Sequence, residues 1–170
     1  MAKTNSPTPS QALIRKLFGY DEQGLYRLRD STNAKAGKRA HKVHSKGYVG
    51  FKVAGKTYGE HRLVWLYHFG YMPKLVDHIN GNRSDNRIEN LREASPSENI
   101  SNSKLASNNT SGAKGVIWAE DRKKWRARIT SNGVRSWLGS FDSFDEALKV
   151  ANTARIFAHK QFANTGVVNV

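Results

Sequence analysis

Residues 76 to 86 read Val-Asp-His-Ile-Asn-Gly-Asn-Arg-Ser-Asp-Asn, and Asn90-Leu91-Arg92 and Asn99 follow. Asp77 is a hard oxygen donor suited to a divalent cation. His78 carries the one side-chain type whose ordinary pKa lets it take a proton near neutral pH. Asn90 and Asn99 are short, neutral amides, able to orient an imidazole or to offer a carbonyl oxygen to a metal. The segment is polar and contains Gly81, so it cannot be an ordinary core element. Together these are parts for metal-assisted hydrolysis of a phosphodiester.

Asp77-His78, Asn90 twelve residues beyond the histidine and Asn99 nine further on resemble the HNH endonucleases, in particular the branch found among phage homing endonucleases. The block His61-Arg62-Leu63-Val64-Trp65 and the triplet Asn90-Leu91-Arg92 fit the same branch, and the resemblance runs over residues 17 to 104. The family's final histidine is replaced here by Asn99, as in the homing branch, so a second imidazole ligand is not expected. The resemblance implies a small ββα unit around one Mg²⁺ or Mn²⁺. In it His78 activates water, Asn90 accepts the other imidazole N–H, and Asp77 and Asn99 hold the cation. Hydrolysis of duplex DNA to a 3′-hydroxyl and a 5′-phosphate is the implied reaction. Arg62 reads as a phosphate contact or as a cap on the fold, and is counted with the DNA contacts. His61 reads either as a structural histidine ahead of an apolar helix or as a catalytic one. Asn80, Asn82, Asp85 and Asn86 read as residues that stabilise their own loop.

The elements that must position this chemistry are short. Residues 1–10 read as a disordered arm. Two hairpins come next, one turning at Asp21-Glu22-Gln23-Gly24 and one at Ala54-Gly55, with a basic loop over residues 31–47 between them. His41 and His44 in that loop read as part of it, without metal partners. Leu63, Val64, Leu66 and Tyr67 form a short helix closed by Gly70. A strand over Val76 to Ile79, a loop to Asn86 and a return strand near Leu91 to Ala94 follow. Ser95-Pro96-Ser97-Glu98 has the order of an N-cap, a first-turn proline and a capping-box glutamate, which places Asn99 in the first turn of a helix.

Residues 104–112 are polar and serine- and asparagine-rich, and read as a linker between a nuclease domain over 11–103 and a second domain over 113–165, with a tail at 166–170. After the linker, three short strands precede a helix that starts at Ser143 and carries Phe144, Ala147, Leu148, Ala151, Ala154, Ala158 and Phe162 at helical spacing. The whole is an α+β chain: a ββα nuclease unit behind N-terminal hairpins, then a three-stranded antiparallel sheet on one helix. Gly115-Val116, the run Trp125 to Ile129, the run Trp137 to Phe141 and the alanine-rich helix resemble the Apetala-type, or ethylene-response-factor, DNA-binding domain. That resemblance implies a sheet laid in the DNA major groove. Strand alternation separates Arg126, Arg128, Arg135 and Trp137 from the face that meets the helix. Arginine reads guanine edges and phosphate, and tryptophan packs on sugar or methyl. The first-strand arginines of that domain are replaced here by Lys114, Ile117 and Ala119, so its recognition sequence does not transfer. Lys114 joins the expected DNA contacts.

Composition agrees with a polyanionic partner. Of 170 residues, 28 are Lys or Arg and 14 Asp or Glu, a net charge of +14. Residues 1–60 hold twelve basic against four acidic side chains, residues 61–104 six against five, and residues 105–170 ten against five. The segment with the chemistry is nearly neutral between two basic flanks. The chain has no cysteine, which excludes disulfides and thiolate zinc sites. No signal-peptide core or spanning run is read, so the expectation is an intracellular, cytoplasmic monomer that acts on double-stranded DNA. A non-catalytic DNA-binding regulator and a repair or structure-specific nuclease are the alternatives. The Asp77-His78 and Asn99 set argues against the first.

Overall fold

The computed structural model describes residues 8–31, 34–42 and 47–165. The first seven residues of the expected arm, His44 and the expected tail lie outside these. The chain divides into two compact units, residues 1–93 and 94–170.

The first unit opens with α1 (Gln11–Leu17), capped by Ser10 Oγ accepting from Leu13 N. This helix is absent from the sequence reading, although the serine cap and the Leu13, Ile14, Leu17 spacing both signal it. The hairpin β1 (Phe18–Asp21) and β2 (Gly24–Arg27) follows. A three-stranded antiparallel sheet then joins β3 (His41–Lys42), β4 (Val49–Val53) and β5 (Lys56–Gly59). Part of the expected basic loop is therefore a strand. α2 (Glu60–Phe69) ends at Gly70. The hairpin β6 (Val76–His78) and β7 (Leu91–Glu93) carries the polar loop. Ile14, Phe18, Leu25, Leu63 and Val64 are fully buried in the core of this unit, and the Phe18 and Phe51 rings meet at 4.6 Å. Arg62 donates to the carbonyls of Pro73 and Lys74 at 3.0 and 3.3 Å, tying α2 to the segment that leads into β6.

The second unit begins with α3 (Pro96–Ser101), where Ser95 and Glu98 complete the expected capping box. α3 falls within this second compact unit. The reason is its local bonding: Ser101 Oγ lies 3.2 Å from His159 Nδ1, and Asn164 Nδ2 donates to Asn102 O at 2.9 Å. Residues 102–115 contain no helix or strand. The antiparallel sheet of β8 (Val116–Ala119), β9 (Lys124–Ser131) and β10 (Val134–Phe141) follows, in the order β8-β9-β10. It packs on α4 (Phe144–His159). The core here is alanine-rich: Ala113, Val116, Ala127, Ala147 and Ala151 are buried. Small side chains let a helix lie close to a sheet. The buried stripe of α4 runs Ala147, Ala151 and Arg155. Ala158, expected on that stripe, is exposed.

Candidate active site and nucleic-acid interface

Asp77 and His78 stand side by side on β6, where both are buried. Cross-strand pairing sets Asp77 opposite Arg92, and Arg92 Nε and Nη2 both donate to Asp77 Oδ2, at 2.9 and 2.8 Å. A buried carboxylate is thus held by a guanidinium supplied from the return strand.

The His78 ring meets Asn86, not Asn90. Its Nε2 lies 2.9 Å from Asn86 Oδ1. Asn86 Nδ2 donates to Glu60 Oε2 at 2.8 Å, and Glu60 Oε1 accepts from Leu25 N at 2.8 Å. Glu60 and Asn86 are 4% and 2% exposed, so this chain of bonds is dry. Its directions are linked. The Glu60 carboxylate accepts, which turns the Asn86 amide N–H groups toward it. Asn86 Oδ1 then faces the ring and takes a proton from Nε2, leaving the basic lone pair on Nδ1. Burial lowers the His78 pKa, opposed by Asn86, Asp77 and Asp85, so the ring is held toward its neutral form. Burial raises Glu60, opposed by the Leu25 N–H and Asn86. Gly24 makes the Glu60 contact possible: a Cβ there would stand 2.6 Å from Glu60 Oε1.

Asn90 closes the loop. Its Oδ1 accepts from Asn80 N at 3.0 Å, and its Nδ2 donates to Asn80 Oδ1 and Asp85 O at 3.0 and 2.8 Å. Asn82 N and Ser84 N bond the side chains of Asn80 and Asn82 in turn. Asp85 accepts from Asn80 and from Arg87, the latter holding its pKa down at about 2. Asn80, Asn82 and Asp85 therefore stabilise the loop as expected, while Asn86 departs from that group to orient the histidine. Sequence reasoning missed Glu60 as well. A carboxylate at the first turn of an apolar helix reads as a favourable end charge, and nothing local announces that it is buried.

His61 stands closer to the chemistry than a purely structural role implies. Its ring lies 5.2 Å from that of His78 and 5.2 Å from Tyr48. Arg83 caps the Tyr48 ring at 5.0 Å. Asn99 lies on α3 in the second unit, with its N–H on Ser95 O.

Asp77 offers the hard oxygen that a divalent cation needs. Among the described residues no three His, Asp or Glu side chains gather as a metal cage. A site with few protein ligands suits Mg²⁺, which keeps waters and substrate oxygens in its shell.

On the sheet of the second unit, the Arg126 guanidinium lies 3.6 Å over the Trp137 ring and that of Arg128 5.9 Å from it. Trp137 pairs with Arg128 and Arg135 with Thr130, and the register shifts between Trp137 and Gly139. Trp137 is half exposed. Trp125 instead joins the core beneath, against Phe144. Lys114 is not on this face. Its ammonium donates to the carbonyls of Ser103 and of Asn164.

Residues 58–100 match the family described as HNH endonuclease. The chain is also 36% identical over 115 residues to protein 3.8 of Escherichia phage T7, covering 66% of this chain and 94% of that protein. The chain belongs to this family, with an HNH endonuclease domain at residues 58–100. Such a domain makes a nuclease, with DNA as the implied substrate. The matched span runs from β5 through α2, the β6–β7 hairpin and α3, and contains Asp77, His78, Asn90 and Asn99. No match covers the sheet and α4 as an Apetala-type domain, and no solved structure matches the chain. No helix among the described residues is long and apolar enough to cross a membrane.

Proposed function

We propose that this protein is a metal-dependent endonuclease of the phage homing type that hydrolyses duplex DNA in the cytoplasm of a bacterial host. The observation that carries the reading is the His78 ring beside Asp77, with Nε2 bonded to Asn86. His78 Nδ1 takes a proton from the attacking water. Asn86 and Glu60 hold the ring and its tautomer, and Arg92 holds Asp77 in place. Asp77 and Asn99 are the protein ligands of one Mg²⁺ or Mn²⁺. When bound, the cation stabilises charge on the scissile phosphate and the leaving 3′ oxygen. Asn90 acts by fixing the loop that carries Asn86. The protein acts as a monomer, its nuclease domain covering residues 11–103 and joined by residues 104–112 to an Apetala-type DNA-binding domain at 113–165. Arg126, Arg128, Arg135 and Trp137 form the duplex-reading face, with Lys114 and Arg62 as further contacts in support.

The test is nicking and linearisation of a plasmid with and without Mg²⁺. Wild type should cut, EDTA should stop it, and His78→Ala should cut about 10²–10⁴-fold more slowly while binding duplex normally. Full activity of His78→Ala, or of wild type in EDTA, overturns the assignment.

A further inference from the structure

Arg155 sits on α4 only 7% exposed. Its one hydrogen bond among the described residues goes to Asn152 Oδ1, at 3.3 Å. Burial lowers its pKa and no carboxylate pulls it back. A buried guanidinium without a counter-ion is costly unless something anionic completes it.

A cavity of about 370 Å³ opens beside it within the second unit. Lys104, Lys114, Arg155 and His159 line it, with the hydroxyl of Ser101 and the amide of Asn109, and no Asp or Glu lines it. Lys114 is pushed down to about 8 by burial and by Arg155. His159 is lowered by burial, by Arg155 and by Lys114. These cations therefore repel one another across the cavity. The backbone leaves room for the guanidinium: a Cβ on Gly115 would stand 3.0 Å from Arg155 Nη2 and 2.3 Å from Arg128 O.

We propose that this cavity binds a phosphate group, with Arg155 and Lys114 on its oxygens and the Ser101 hydroxyl beside them. A guanidinium fork, an ammonium and neutral donors, with no acid nearby, are the chemistry that selects a phosphate oxyanion. Arg128 of the proposed duplex-reading face also lines the cavity, but the site does not depend on the nuclease reading. The phosphate belongs either to a DNA backbone or to a small free species, and the two are separable.

The experiment is calorimetric titration of the full-length protein with inorganic phosphate at constant ionic strength. Wild type should bind saturably. Arg155→Met and Lys114→Met should bind about tenfold more weakly or worse, and Lys149→Met on the exposed side of α4 should bind as wild type. Arg155 has no ion pair to lose, so Arg155→Met should melt no lower than wild type without phosphate. If it fails to fold, Lys114→Met and the wild-type titration decide. Absence of saturable binding to wild type, or undiminished binding to Lys114→Met and Arg155→Met, overturns the proposal. Duplex binding across a salt series then names the source. A slope reduced by roughly one in Arg155→Met marks a backbone phosphate, and an unchanged slope with lost inorganic phosphate marks a free species.

Discussion

The two units treat buried charge in opposite ways. In the first, every buried charge near the chemistry is met from within: Asp77 by Arg92, and Glu60 by Asn86 and the Leu25 amide. In the second, Arg155 and Lys114 find only amide and carbonyl oxygens, and Arg126 Nε is buried without a partner. The difference is one of purpose. A closed network fixes rings and oxygens before substrate arrives, which is what proton transfer requires. A surplus of cations is completed only by an outside anion, which is what binding a polyanion requires. Changes to the network around His78 should therefore act on turnover, and changes to the cations on the sheet and α4 of the second unit on affinity.

The strongest way to break that contrast is at Asn86. Asn86→Ala removes the acceptor for His78 Nε2 and should lower kcat about 10- to 100-fold with KM little changed. Glu60→Gln keeps the volume but cannot accept from both Leu25 N and Asn86 Nδ2 with one oxygen. It should lower kcat less. Steady-state nicking rates over a range of DNA concentrations separate the two constants. Wild-type kcat in Asn86→Ala would reduce the network to a structural role.

A smaller effect is expected on the sheet. Arg126→Ala or Trp137→Ala should weaken duplex binding by about 1–3 kcal/mol and leave kcat at saturating DNA unchanged. Fluorescence anisotropy with cognate and scrambled duplexes measures this. Loss of kcat with normal affinity would place this face in catalysis and erase the contrast.

The smallest effect concerns the loop. The Asp85 pKa is held down at about 2 by Arg87, against about 3.9 for a free aspartate. A depressed carboxylate contributes stability that is complete above the unfolded value and fades as pH falls through about 2. Asp85→Asn should remove that dependence. The partly exposed pair limits the effect to about 0.2–1 kcal/mol. Melting curves between pH 2 and 5 test it, and identical pH dependence in both proteins would mean that the pair carries no stability.

Most of the architecture is written in local sequence. Turn residues, the Ser95 capping box, the Gly70 stop and the alternation around Trp125 each depend on a few neighbouring residues, and each appears where such signals place it. The adjacency of Asp77 and His78 is also local, since two consecutive residues on one strand need no tertiary help. What the sequence could not decide was the partner of each buried polar group. Asn86 and Asn90 are the same residue type four positions apart, yet one meets the His78 ring and the other closes the loop. Glu60 reaches Asn86 across 26 residues, and Arg155 is buried on α4 without a carboxylate to meet it. Such pairings are chosen by three-dimensional packing, because a buried donor or acceptor must find its complement wherever the chain brings one within about 3 Å. Sequence supplied the chemical parts and the short elements, and tertiary structure chose which amide holds the base and which cation is left to seek an anion.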